Sequence, residues 1–196
     1  MPPAPVPERA PRQDNRRNAL LDAAANQFAE RGFHATSTRE LAAAVGMLPG
    51  SIYYHFPSKS DLLVAVYDEG VRRIETAVAQ AVDGVEAPWA RVEAACTAHL
   101  EALLDGSAYA RVVVRVQPED AGESDAELIA LRDRYEALFA GLIDDLDLPD
   151  AEASRALRLL LLGALNWVQH WYRPGRDAPH VIVHRFMGLL ARGKTP

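Results

Sequence analysis

Between Ser37 and Lys59 the chain reads STRELAAAVGMLPGSIYYHFPSK, a run punctuated so tightly that it holds only very short helices separated by a sharp turn. Ser37 followed three residues later by Glu40 is a capping box, in which the serine oxygen accepts the amide at the third helical position and the carboxylate reaches back to the serine amide. A helix therefore starts at this serine. Leu41, Ala42 and Val45 give it an inward face, and Gly46 supplies the left-handed residue that ends it after about two turns. Pro49 suits the first position of a second helix, where its missing N–H costs nothing. That helix turns Ile52 and Phe56 inward, leaves Gly50, Ser51, Tyr53, Tyr54 and His55 facing elsewhere, and stops at Pro57. Ser58, with Asp61 three residues on, caps a third helix.

A helix, a glycine-containing turn and a second helix whose outer side carries small, hydroxyl and aromatic groups make a helix-turn-helix, the arrangement that enters the major groove of DNA. Gly50 and Ser51 allow close backbone approach to the bases, while the tyrosine hydroxyls, the His55 imidazole and the Lys59 ammonium reach phosphate oxygens on either side. Lys59 also lies beside the open amides of a helix start, where anions are favoured. The alternative is the corner of a small bundle with a polar outer face, and it leaves this outer face unexplained.

Residues from about 14 to 74 resemble the DNA-binding domain of the TetR family of bacterial repressors. The resemblance is carried by the alanine-rich first helix ending at Arg31-Gly32-Phe33, by Thr36-Ser37-Thr38-Arg39-Glu40-Leu41-Ala42, and by Gly50-Ser51-Ile52-Tyr53-Tyr54-His55-Phe56 with Ser58-Lys59 after it. It implies a dimer reading a palindromic operator in double-stranded DNA, with Thr36, Ser37, Thr38, Arg39, Pro49, Gly50, Ser51, Tyr53, Tyr54, His55 and Lys59 at the interface. Arg39, Ser51 and Tyr53 are expected near bases, and Thr38, Tyr54, His55 and Lys59 on phosphates. The chain departs from the family pattern at Leu48 and Pro49. The family often carries a hydroxyl cap and then a basic or polar residue there, so one direct contact is expected to be missing.

The chain has 196 residues, is 49% hydrophobic and carries a formal charge of −6. An acidic protein is a poor partner for nucleic acid unless its charge is segregated. Residues 1–60 hold seven Arg or Lys against five Asp or Glu, a local +2 that leaves −8 for the remainder and keeps repulsion away from the proposed reader. The single Cys96 excludes an internal disulfide and a thiolate metal site, so it is expected to be a small buried apolar residue, and neither metal nor cofactor is expected. The amino terminus is Pro-rich rather than apolar, and no apolar run approaches the roughly 18–20 residues that span a bilayer, so a cytoplasmic protein with no membrane partner is expected. Five prolines in residues 2–11 predict a disordered arm over residues 1–13. Arg9, Arg12, Arg16 and Arg17, in and just after this arm, fit phosphate or minor-groove contacts and a solvated helix start equally well.

Helical spacing continues to the end, and no strand alternation is convincing, so the fold class is all-α. A three-helix DNA-binding domain is expected over residues 14–74 and a helical ligand-binding and dimerisation domain over 75–196. The first helix runs from near Asn15 to Arg31, with Phe33 folding back on Phe28. A long helix from Ser58 to about Val82 joins the two parts. The next opens at Pro88, carries Trp89, Val92, Cys96, His99 and Leu103 on one stripe, and ends at Gly106. A short element covers Tyr109 to Val116, residues 118–126 read as a mobile acidic loop, and helices follow over 126–146, from Pro149 to Tyr172, and over 178–191.

The helix ending at Tyr172 is apolar nearly all round and needs neighbours on more than one face. Leu157, Leu161 and Leu165 on it, with Ile182, Phe186 and Leu190 on the last helix, are expected to pair across a two-fold axis, where the TetR family dimerises by resemblance. Burial within one subunit is the alternative. The aromatic ending Asn166-Trp167…His170-Trp171-Tyr172-Arg173-Pro174, with Leu48-Pro49-Gly50-Ser51, resembles a branch of the family that governs steroid-ring and fatty-acid breakdown and includes sensors of acyl-coenzyme A thioesters. Trp89, His99, Tyr109, Arg115, Asn166, Trp167, His170 and Trp171 form the expected wall for such a small-molecule effector, an apolar lining with a few polar tips. Trp167 and Trp171 serve core or dimer packing equally well, and His99 reads first as a hydrogen-bonded core histidine. Arg111, Arg115, Arg173 and Arg176 are the cations for the phosphates of a thioester. A helical-bundle enzyme lacks its signatures here, with no Glu-x-x-His pair and no Gly-rich phosphate loop. A DNA-binding protein that answers to no ligand is the other alternative.

Overall fold

A computed structural model describes residues 12–192, and every regular element within them is helical. The order is α1 (Arg12–Arg31), α2 (Thr38–Ala44), a 3₁₀ turn (Pro49–Ser51) running into α3 (Ile52–His55), α4 (Lys59–Val82), α5 (Pro88–Leu104), α6 (Ala108–Arg115), a second 3₁₀ segment (Pro118–Ser124), α7 (Asp125–Asp144), α8 (Ala151–Asn166), α9 (Val168–Trp171) and α10 (Pro179–Arg192). The expected arm at residues 1–11 lies outside the described residues, and α1 already includes Arg12 and Gln13. No described helix is long and apolar enough to cross a membrane.

The helix boundaries follow local chemistry. Gly32 adopts φ +86° after α1, and the Phe33 ring comes back to 5.5 Å from that of Phe28. Ser37, Ser58, Ser107 and Asp150 each accept a backbone amide of the turn they open. Helix α4 is the shared element. It buries Leu62, Leu63 and Val66 toward its start and Val71, Ile74 and Val78 further along, and it packs against α1, α5, α6 and α7. Helix α6 approaches it so closely that a Cβ at Gly70 would lie 2.5 Å from the Val113 Cγ2 and 3.1 Å from the Tyr109 carbonyl oxygen.

Two expectations change, and the residues expected at a dimer seam are placed. Residues 118–124 are not a loose loop. Pro118 opens 3₁₀ turns, the Asp120 carboxylate accepts the Gln117 amide at 2.9 Å, Gly122 takes φ +58°, and Ala121 is fully buried against the bundle. The helix expected to reach Tyr172 breaks at Trp167, whose ψ is 2°. The Trp171 indole N–H donates to the Ala164 carbonyl at 3.3 Å and so supplies a partner for a carbonyl next to the break. Finally, Leu161, Leu165 and Ile182 are buried within the single chain, and Leu157, Phe186 and Leu190 are half-buried. Among the described residues, the large apolar side chains left exposed on these helices are Leu159, Leu160 and Leu189, with Trp167 just after α8. Because α8 is apolar on several sides, composition alone does not distinguish the inward side from the outward one.

Two glycines in helix interiors should respond in opposite directions. Gly141 in α7 has open space where a Cβ would go, so Gly141→Ala should raise stability by about 0.5–1 kcal/mol through helix propensity. Gly70→Ala meets Val113 and the α6 backbone, and overpacking of about 1–3 kcal/mol should exceed that gain. Urea unfolding at one fixed protein concentration checks both signs.

Candidate nucleic-acid interface and internal cavity

The short helices α2 and α3 cannot persist by themselves, and their polar residues divide into those that hold them and those that face outward. The capping box forms as expected: the Ser37 amide and hydroxyl both donate to Glu40 Oε2, at 3.0 and 2.8 Å, and the Glu40 amide donates to Ser37 Oγ at 3.2 Å. Arg31 donates to the other carboxylate oxygen at 2.8 Å. Hydrogen bonds from the Ser37 amide and hydroxyl, then from Arg31, hold the Glu40 carboxyl down at about 2, so it stays ionised. Leu41, Ala42, Ile52 and Phe56 anchor the inner side.

Two members of the expected DNA-facing set are engaged within the chain, Thr36 buried and Ser37 exposed. Thr36 is buried, and its hydroxyl donates to the Gly32 carbonyl at 2.9 Å. The Ser37 hydroxyl belongs to the cap. Lys59 is a staple as well: its ammonium donates to the Phe33 and Thr36 carbonyls, both at 2.9 Å, and sits 4.2 Å from the Phe33 ring centroid. One N–H of the three remains for another partner. Burial lowers its pKa from the ordinary lysine value. Outward stand Arg39, Pro49, Gly50, Tyr53 and Tyr54, exposed, and Thr38, Ser51 and His55, half-exposed. The Thr38 and Tyr53 hydroxyls lie 3.5 Å apart, which brings the start of α2 to the recognition segment. Leu48 is 77% exposed and offers no side-chain cap, as its apolar chemistry requires.

A cavity of about 300 Å³ lies between α4, α5, α6, α7 and the α8–α9 junction. Of the residues expected to wall an effector site, His99, Asn166, Trp167 and His170 line this cavity, and Trp89, Tyr109, Arg115 and Trp171 do not. Trp89 opens α5, and Trp171 packs on Phe186. Tyr109 and Arg115 look toward the DNA-binding head: the tyrosine hydroxyl donates to Asp22 at 2.8 Å, and the guanidinium donates to the Ala29 carbonyl at 2.6 Å, both on α1. His99 is 1% exposed and is both a core histidine and a cavity wall. Its Nδ1 is hydrogen-bonded to the Tyr135 hydroxyl, its Nε2 lies 3.0 Å from Asn166 Oδ1, and its ring stacks on Tyr135 at 5.6 Å. Burial lowers its pKa to about 4, against the opposing effect of the Asn166 hydrogen bond, so the imidazole is neutral. The Trp167 and His170 rings stack at 3.6 Å and 7° on the same wall.

Tyr135, Arg132, Glu136 and Gln117 line the cavity without having been expected there. Tyr135 carried a usable signal, because a tyrosine on the apolar side of α7, with Leu128, Phe139 and Leu142, requires a partner for its hydroxyl.

Residues 20–66 match the family described as bacterial regulatory proteins, tetR family, and residues 85–194 match the tetracyclin repressor-like C-terminal domain. The HTH-type transcriptional repressor KstR2 of Rhodococcus jostii (strain RHA1) is 34% identical over 193 residues, which cover 92% of this chain and 92% of its own. Among solved structures, superantigen PfiT aligns with a TM-score of 0.77 at 27% identity, over 91% of this chain and 97% of its own. AibR, crystallised with isovaleryl coenzyme A and operator DNA, aligns with a TM-score of 0.74 at 24% identity, over 89% and 97%, a likeness of fold.

The neutral His99 makes stability depend on pH. Its folded pKa is below the unfolded one, so the unfolded chain binds the extra proton first as pH falls. Stability from this group is complete above about 6.5 and is lost toward about 4, with a limiting slope of about 1.4 kcal/mol per pH unit. In urea unfolding followed across that window, His99→Gln should remove close to one proton from the pH slope.

Proposed function

The chain belongs to the TetR family of bacterial regulatory proteins, and from that premise we propose that it is a dimeric cytoplasmic repressor, with no catalytic step, whose grip on a palindromic operator is set by what occupies the His99 cavity. In this function Arg39, Ser51 and Tyr53 meet bases, Thr38, Tyr54 and His55 meet phosphates, and Lys59 contributes its remaining N–H. Two copies associate through α8 and α10 and set two readers about 34–36 Å apart on one DNA face. The exposed Leu159, Leu160 and Leu189 support that interface.

The observation that carries the regulatory part is the double duty of α6. Val113 and Val114 of this helix, with Val116 just beyond it, line the cavity, while Tyr109 and Arg115 of the same helix bond α1 of the DNA-binding head. A ligand pressing on the valines moves the helix that holds α1, and α4, tightly packed on α6 at Gly70, moves with it. Ligand and operator then weaken each other's binding by one common factor, typically about 5–150-fold.

The effector is a small apolar acyl group carried as a coenzyme A thioester. A cavity of about 300 Å³ is at the lower end of small-molecule sites and accepts a short acyl chain while the coenzyme stays outside. Arg132 at the wall, with Arg173 and Arg176 exposed beyond α9, supplies cations for its phosphates. The shared fold of AibR, crystallised with isovaleryl coenzyme A, is in keeping with this class.

Fluorescence anisotropy with the promoter fragment upstream of the protein's own gene should give weaker binding when isovaleryl coenzyme A is present. Calorimetry should give the same factor for the thioester when operator is present. Tyr109→Phe combined with Arg115→Gln should leave both ligands bound but shrink the factor toward one; an unchanged factor would remove α6 from the mechanism. Sedimentation should find Leu160→Glu monomeric and folded. Leu161→Glu, which places a charge inside the chain, should fail to fold.

A further inference from the structure

The three buried or cavity-lining groups Tyr135, His99 and Asn166 form a chain of hydrogen bonds that can run in only two directions. A neutral imidazole has one N–H and one acceptor nitrogen. In one direction the Tyr135 O–H donates to Nδ1, and Nε2–H donates to Asn166 Oδ1. In the other, Nδ1–H donates to the tyrosine oxygen, and the Asn166 amide nitrogen donates to Nε2. The second direction takes the Tyr135 hydroxyl hydrogen off His99, the one partner with which that hydroxyl forms a hydrogen bond among the described residues, and the tyrosine is 8% exposed. Leaving a buried donor unmade costs the desolvation of that group with nothing to offset it. The first direction is therefore selected, and it agrees with Oδ1 lying 3.0 Å from Nε2.

The consequence falls on the cavity. With Oδ1 turned to His99, the amide nitrogen of Asn166 keeps both N–H donors for whatever fills the space beside Trp167 and His170. No buried cation accompanies them: Arg132 is half-exposed and sits within 3.8 Å of both Asp133 and Glu136, and Glu136 is also in the wall. A carboxylate at this cavity wall would lie near the like charge of Glu136 without a dedicated partner, whereas a neutral acceptor would not.

We propose that Asn166 determines the specificity of the cavity by donating to an uncharged carbonyl oxygen of the ligand, and that Tyr135 and His99 are positioning residues that fix the direction of that donation. The inference rests on the effector assignment above and narrows it: the thioester carbonyl enters the cavity and is itself recognised.

The test pairs isovaleryl coenzyme A with its S-isopentyl thioether, the same skeleton without the carbonyl. Calorimetry on the full chain should give roughly tenfold tighter binding of the thioester. Asn166→Leu should bind the two within about twofold, and Tyr135→Phe should lower the preference, since it frees the imidazole to change tautomer. Free isovalerate should not compete. Long-range ¹H–¹⁵N spectra of the unliganded wild type should assign His99 as the neutral Nε2–H tautomer. An Nδ1–H tautomer overturns the proposal, as does a wild type that binds thioester and thioether alike or an Asn166→Leu variant that keeps the preference. If neither coenzyme A compound binds, the thioester class of effector falls, and the tautomer of His99 then decides the donor assignment independently.

Discussion

Helix α6 lies on α4 so closely at Gly70 that the contact admits no side chain, and this constraint makes a two-part molecule behave as one body. An eight-residue helix held only by its apolar face would slide. Here it is fixed at Gly70 by close backbone approach and at Tyr109 and Arg115 by bonds to α1. Packed interiors transmit displacement instead of absorbing it. Helix α6 packs on α1, α4 and α5, and in the proposed mechanism a change of a few tenths of an ångström at the cavity valines is passed to α1 and α4, which carry the DNA-binding head.

That head is built at low cost in residues. Its helices of seven and four residues are far below the length at which a helix persists alone. Their stability comes from Leu41, Ile52 and Phe56 inside and from polar groups used as fasteners: Ser37 with Glu40 and Arg31, Thr36 on the Gly32 carbonyl just after α1, and Lys59 across the Phe33–Thr36 loop. Fastening these residues leaves the outward surface to Arg39, the 3₁₀ turn and the tyrosines. The division of labour also places Lys59 on both sides, since its staple holds the start of α4 against the same loop that positions the cap of α2.

Local chemistry was legible because it is written in neighbours. The Ser37–Glu40 capping box, the Ser58 cap, the glycine stops and the Phe28–Phe33 return depend on residues within five positions of each other, and each appears where expected. What escaped depends on distance. Tyr135 meets His99 across 36 positions, and Arg115 meets Ala29 across 86, so no local pattern announces either pair. The break at Trp167 carries no proline or glycine; it is accompanied by an indole seven residues from the carbonyl it bonds. Residues 118–124 are acidic and small, as loops are, and order because Ala121 is buried against the bundle. On α8 leucines cover several sides, so the spacing identified an apolar helix but not which leucines face solvent.

In the proposed mechanism, filling the cavity moves the recognition segments of a dimer relative to one another, and the distance between them reports this most directly. Leu48 is exposed and suited to a nitroxide through Leu48→Cys, while the native Cys96 is fully buried and its thiol is pushed up to about 12 by that burial. Pulsed electron–electron resonance on the labelled dimer should give a distribution compatible with the half-site spacing of about 34–36 Å when the cavity is empty, and one displaced by a few ångströms when isovaleryl coenzyme A saturates it. Identical distributions in the two samples, with calorimetry confirming that the thioester is bound, would contradict the mechanism.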